Sequence, residues 1–177
     1  MMIQPSVFEP PQRGDDRYGQ MCAFRGASMS TVSFEVVRLG VGDEVRAGRT
    51  FQLMADVFDE DHGELSVAYV AGLLSRPEFW AYAAVTDGVV VGGLTAHALP
   101  MTSSEQTEVF LYDIAVAAEV QRQGIGRKLV ETLLGDTRQA GIAVMFVPAD
   151  DEDIHAIDFY RALGGRASNV TFFEFDG

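Results

Sequence analysis

The ten residues QRQGIGRKLV, Gln121 to Val130, put two glycines and two arginines into a short loop where an amphipathic helix begins. Backbone N–H groups in the first turn of a helix have no intrahelical acceptor, and the helix dipole adds about half a positive charge there. A preceding loop that can wrap an anion makes such a helix start into a phosphate site. Gly124 and Gly126 let the backbone approach a ligand closely, and Arg122 and Arg127 add charge beside the same donors. No Gly-Lys-Ser/Thr ending follows, and the pattern is not Gly-x-Gly-x-x-Gly, so neither a P-loop nor a dinucleotide fingerprint is present. A glycine pair that only caps a helix would give the same spacing without any ligand.

Two sets of carboxylates offer further chemistry. Asp113 interrupts the otherwise apolar stretch LYDIAV, where a buried carboxylate costs free energy unless it is paired or used. It is either a satisfied structural aspartate or a group that takes a proton from, or orients, a nucleophile. Asp150, Asp151, Glu152 and Asp153 stand together where an apolar segment gives way to a helix. Acidic residues at a helix start each contribute roughly 0.3–1 kcal/mol. Four in succession exceed what a cap needs, and loops at strand ends are where α/β proteins present ligand groups. The run is therefore a candidate receiver of a cationic substrate. His62, His97 and His155 show no metal-ligand spacing, and no metal is assigned.

The elements that must position these groups read as mixed α/β. A strand is expected over about Val32 to Leu39, then a helix in VGDEVRAGRTFQLMADVF, with Val45, Phe51, Met54 or Ala55 and Phe58 inward and Asp43 as cap. The acidic loop DEDHGE, Asp59 to Glu64, either closes over a substrate or lies solvated. A second helix, LSVAYVAGLLS, is closed by Pro77. FWAYAAV and VVVGGLTAHAL, joined by TDG, read as a hairpin, and TEVFLYDIAVA as the next strand. The long helix runs from about Gly124 to Gln139 with Gly141 as its stop. IAVMFVP is then expected as a buried strand, DIHAIDFYRALGG as a helix stopped by Gly164, and NVTFFEF as a final strand. A strand, helix, strand crossover favours one parallel step in an otherwise antiparallel sheet.

Length and composition suit one globular domain: 177 residues, 47% hydrophobic and 22% charged. Residues 1–31 mix Pro, Gly, Arg and Asp without period and read as a flexible extension before a domain over 32–177, with Met29 as an alternative start. The formal charge of −13 argues against a nucleic-acid partner, which calls for clustered Lys and Arg, and favours a cationic one. Cys22, alone, forms no internal disulfide, which suits a reducing compartment. No apolar run reaches the length of a membrane span and no signal-peptide core is present, so a cytoplasmic protein with no membrane partner is expected.

YDIAVAAEVQRQGIGRKLVETLL resembles the strand and pyrophosphate loop of the GNAT superfamily of N-acetyltransferases, whose Gln/Arg-x-x-Gly-x-Gly/Ala pattern is met by Gln121, Gly124 and Gly126. Within that superfamily LYDIAV, QRQGIG, FVPADDED and AIDFYRALG, in that order, resemble the type I aminoglycoside 3-N-acetyltransferases. The resemblance implies the GNAT fold, a mixed central β-sheet flanked by helices, and direct transfer of acetyl from acetyl-CoA to an amine. It implies that Gln121, Arg122, Gln123, Gly124, Ile125, Gly126 and Arg127 hold the CoA pyrophosphate. Ile114, Ala115 and Val116 would pair with its pantetheine arm through their backbone.

The same resemblance puts Tyr112 and Asp113 at the reacting centre. Alternation along a strand sends adjacent side chains to opposite faces, so only a bulge lets both line one pocket. It makes Tyr160 the donor that protonates the CoA thiolate, although Tyr160 also fits as a core aromatic on its helix. Asp153 stands where the superfamily often has asparagine, seven residues before that tyrosine. A homodimer is the assembly the family suggests. The implied reaction is acetylation of the 3-amino group of the deoxystreptamine ring of gentamicin-like drugs, giving resistance. Acetylation of a polyamine or a protein N-terminus on the same fold is one alternative, and a non-catalytic acetyl-CoA sensor that would not need Asp113 is another.

Overall fold

A computed structural model describes residues 33–60, 63–173 and 175. Expectations for residues 1–31, Cys22, Met29 and His62 lie outside the described residues. The chain forms two compact units, one ending at Phe146 and the other starting at Val147.

The first unit is built on five strands in chain order, β1 (Glu35–Leu39), β2 (Phe79–Thr86), β3 (Val89–Pro100), β4 (Thr107–Val116) and β5 (Val144–Phe146). Neighbours from β1 to β4 are antiparallel and β5 joins β4 in parallel. The parallel step is the one bridged by a helix, α3 (Ile125–Gln139), because parallel neighbours need a crossover. In the β2–β3 turn Asp87 and Gly88 both have positive φ, 49° and 78°, the backbone that matches the twist of a two-residue hairpin.

Helices α1 (Glu44–Val57) and α3 contact opposite faces of β3. A Cβ added at Gly93 would press on Thr50 and come within 2.7 Å of Met54 Sδ in α1, whereas one at Gly92 would lie 3.5 Å from Ile125 in α3. The bare backbone at Gly93 thus lets α1 settle close to the sheet on Ala47, Thr50 and Met54, all buried. Met54 faces inward as expected, but Val45 and Phe58 are exposed, because the helix turns Ala47, Thr50 and Met54 to the strand. Asp43 occupies the N-cap position of α1 without capping it; its carboxylate accepts from the Gly40 N–H at 3.1 Å in the preceding turn. Helix α2 (Val67–Leu74) is capped by the Ser66 hydroxyl, which accepts from the Tyr69 N–H. On the other face α3 buries Ile125, Leu129, Val130 and Leu133. Its far end is tied to the sheet where the buried Tyr82 hydroxyl donates to Asp136 at 2.8 Å, with Arg38 3.3 Å from the same carboxylate and stacked over Trp80.

Strand β5 is shorter than expected and is not buried. It pairs with β4 only over Glu108–Phe110, lies at the sheet edge, and leaves Val144 and Phe146 exposed. A short apolar run marks a strand but does not say whether its second neighbour exists.

In the second unit, helix α4 (Ile154–Ala162) starts at Asp153, whose carboxylate accepts from the Ala156 N–H at 2.9 Å, and stops at Gly164 with φ 90°. Ile154 faces solvent, while Ile157, Phe159, Tyr160 and Leu163 are half-buried. The expected final strand is absent among the described residues of 169–175, and Val170, Phe172, Phe173 and Phe175 are exposed. Alternation supplies an apolar face; a strand also needs a hydrogen-bonded neighbour, which periodicity does not encode.

Candidate active site

A β-bulge sets the geometry around Asp113. In the β3–β4 register Thr95 faces Asp113 and Ala96 faces Leu111, so Tyr112 is an extra residue with no partner. The ring of Tyr112 contacts His97 and Phe110, and the Asp113 carboxylate accepts from the Thr95 hydroxyl at 3.4 Å. Thr95 and His97 are two apart on β3 and share a face, so adjacent Tyr112 and Asp113 are brought to that same face. It is the face that Gly93 presents to α1.

Burial, together with the nearby Glu60 carboxylate, pushes the Asp113 carboxyl up to about 6, against a lowering by the Thr95 hydroxyl. Tyr112 is raised first by burial and then by the charges of Asp113 and Glu60. At neutral pH Asp113 is mostly ionised yet far more basic than an ordinary carboxylate, the balance that general-base work requires. Glu60 is presented by a sharp reversal at the end of α1, where Asp59 adopts a left-handed φ of 53° and the Glu60 N–H reaches back to Ala55 O. The sequence offered two opposed readings of its acidic loop and no signal for Thr95, whose role depends on strand register.

Beyond the bulge, Ile114, Ala115 and Val116 pair with Leu94, Gly93 and Gly92 on one side. On the other side β5 stops short of them, and that edge has no strand neighbour among the described residues. The loop that follows is pinned back to this edge: the Gln121 side-chain amide donates to the Val116 carbonyl at 3.0 Å. Arg122 has φ 61° and Gly124, the N-cap of α3, φ 87°. Left-handed residues spaced this way turn successive N–H groups toward one concavity that suits an anion. The Ile125 side chain is core, so only its backbone faces the loop. Gly126 lies in the first turn, and Gln123 is exposed. Arg127 pairs loosely with Glu131 on its own helix at 3.8 Å, while Arg122 has no ion-pair partner among the described residues. A Cβ at Gly124 would meet nothing within 4 Å, so this glycine serves the backbone conformation and leaves open space above it. Open N–H groups, a free arginine and that space fit a pyrophosphate.

In the second unit, burial and the Asp153 charge push the Tyr160 phenol up to about 12, so it holds its proton throughout the neutral range. Asp153 is spent on the cap of α4, and Asp150 Oδ1 accepts from the Glu152 N–H at 2.9 Å. Asp151 and Glu152 are exposed.

Comparison with known proteins fits this geometry. The Acetyltransferase (GNAT) family matches residues 48–164. The chain belongs to the GNAT acetyltransferases. An aminoglycoside acetyltransferase from an uncultured soil metagenomic sample, solved with sisomicin, is 28% identical with a TM-score of 0.75, over 81% of this chain and 97% of that one. Another from such a sample is 31% identical with a TM-score of 0.76, over 82% and 99%. The [ribosomal protein bS18]-alanine N-acetyltransferase of Escherichia coli K12 is 34% identical over 73 residues, 41% of this chain. The chain spans about half (49%) of the length of that curated relative. GNAT acetyltransferases use acetyl-CoA, and one solved structure of the same fold holds CoA. Among the described residues no helix is long and apolar enough to cross a membrane, and no three His, Cys, Asp or Glu residues cluster as a metal site.

Proposed function

We propose that the chain acetylates the 3-amino group of the deoxystreptamine ring of gentamicin-like aminoglycosides, using acetyl-CoA. The observation that carries this reading is the bulge that puts Tyr112 and a carboxyl of raised pKa, Asp113, on one face of β4, beside Glu60. An acceptor amine arrives as an ammonium, and a carboxylate near 6 can both attract it and take its proton. Acetyl-CoA supplies the activated acetyl group. The backbone of residues 122–127 and the Arg122 side chain hold its pyrophosphate, and the edge at Ile114–Val116, which β5 leaves unpaired, receives its arm. Tyr160, protonated at neutral pH, is the donor that the family resemblance offers for the departing thiolate. Asp150, Asp151 and Glu152 draw in the remaining ammonium groups, and the overall charge of −13 favours such a partner from a distance. The soil aminoglycoside acetyltransferases, alike along nearly their whole length, support the acceptor class. Neutralising an ammonium would lower the drug's attraction to anionic RNA, which is how resistance would follow.

A second reading, acetylation of a protein N-terminal amine, is favoured by the bS18-alanine N-acetyltransferase relatives. Two-dimensional NMR of the product from gentamicin and acetyl-CoA tests the first reading. An acetyl group on the 3-nitrogen is expected; acetylation elsewhere on the drug refutes the regiochemistry.

A further inference from the structure

One row of rings crosses the sheet beside Asp113. Phe79 on β2 pairs with His97 on β3, His97 with Phe110 on β4, and Phe110 with Phe146 on β5. Phe79 and His97 lie 5.4 Å apart, His97 and Tyr112 5.4 Å, Phe110 and Tyr112 5.6 Å, and Phe110 stacks on Phe146 at 5.3 Å with planes 15° apart. The inner end is core: Phe51 of α1 packs edge-on to Phe79, and both lie against the buried cluster. Packing does not account for the outer end, where Tyr112 is 37% exposed and Phe146 41%.

The electrostatics of this outer end favour a cation. Aromatic faces carry negative potential. Asp113 and Glu60 add carboxylates close enough to act on Tyr112. His97 itself adds no charge, since burial and then the Arg76 charge lower its pKa, and Arg76 is the cation that acts on the row from the His97 side, away from Phe146 at the opposite edge of the sheet.

We propose that Phe146 and Tyr112, at the exposed end of this row, form a cation–π subsite that takes one ammonium of a polycationic amine while Asp113 and Glu60 border it. The inference rests on the reading that the acceptor is such an amine, and it names the residues that would select it. A cation over a ring is worth about a 2- to 30-fold change in affinity, depending on how dry the site is. Fluorine on the ring drains the negative face while keeping size and packing, so it separates this attraction from shape.

The test is calorimetric titration of the full chain with sisomicin and, separately, with spermidine. The variants are Phe146→Leu, Phe146→Trp, and Phe146 replaced by mono-, di- and trifluorinated phenylalanine. Expected are weaker binding in Phe146→Leu by about 2- to 30-fold, retained or tighter binding in Phe146→Trp, and a stepwise loss as fluorines are added. Affinities for both probes that ignore fluorination overturn the subsite, as does failure of both probes to bind the unaltered chain. Fluorine-sensitive binding of sisomicin without acetylation would support the subsite and overturn the aminoglycoside reading, so the two fail separately.

Discussion

Replacing Asp113 by Asn removes the proposed base, a carboxyl whose surroundings raise its proton affinity, and its effects on activity and stability should oppose each other. With a carboxyl pKa of about 6, about one Asp113 in ten is ionised at pH 5 and about nine in ten at pH 7. As a base it gives kcat/KM for the amine a limb that climbs up to tenfold per pH unit below 6 and levels above it. The acceptor ammonium titrates too, so the informative quantity is the ratio of wild type to Asp113→Asn, which cancels the substrate's own limb. That ratio should rise through pH 6 and reach on the order of 10²-fold or more at pH 7.5.

Stability moves the other way. The folded pKa lies above the ordinary value of 3.8, so between pH 3.8 and 6 the folded protein holds the proton more tightly than the unfolded chain. Wild-type stability therefore falls as pH rises through that window, and the loss is complete above 6. At about 1.36 kcal/mol per pH unit the full displacement corresponds to ~3 kcal/mol. Solvent contact of this half-buried carboxyl reduces that to about 1–2 kcal/mol. Asp113→Asn should melt on the order of 2–8 °C above wild type at pH 7.5, with the difference vanishing near pH 4. Thermal melts at the two pH values, run beside initial rates, check both halves. A variant that keeps most of its activity at every pH, or that is less stable than wild type at pH 7.5, would refute the argument and make Asp113 a structural anchor.

Other perturbations separate the remaining parts. Gly124→Ala forces an alanine to a φ of 87° where its Cβ meets nothing, so unfolding free energy should fall by only about 1–2 kcal/mol while KM for acetyl-CoA, read by thiol release, rises at least tenfold. Tyr160→Phe should lower kcat about 10²-fold and leave KM for acetyl-CoA nearly unchanged in steady-state kinetics. Gly93→Ala drives a Cβ against Thr50 and Met54, and denaturant unfolding should show a loss of about 1–3 kcal/mol. Tyr82→Phe removes the hydroxyl that ties Asp136 to the sheet, costing about 1–2 kcal/mol in the same assay without changing kcat.

Much of this architecture is written locally. The TDG turn, the glycines that open and close α3, and Gly164 after α4 each mark a backbone reversal that few other residues adopt, and each stands where the sequence places it. What depends on a distant partner was not legible. The identity of the bulged residue follows from the register against Thr95 and Ala96, eighteen and fifteen residues from their partners. Of the α1 stripe, Met54 is legible locally, whereas Val45 and Phe58 are not inward because the bare backbone at Gly93, on another element, sets which side of the helix meets the sheet. Val144–Phe146 and residues 169–175 carry strand composition, yet one ends as an exposed edge and the other forms no strand among the described residues, because composition does not supply a neighbour. Glu60 sits in an acidic loop like many solvated ones; its nearness to Asp113 comes from the left-handed turn at Asp59.

An aminoglycoside acceptor is tested most directly by kcat/KM for CoA thiol release from acetyl-CoA with gentamicin, sisomicin, spermidine and an N-terminal alanine peptide, each supplied alone. Gentamicin and sisomicin should exceed the other two by at least tenfold. Release with the peptide or spermidine and none with either drug would contradict it.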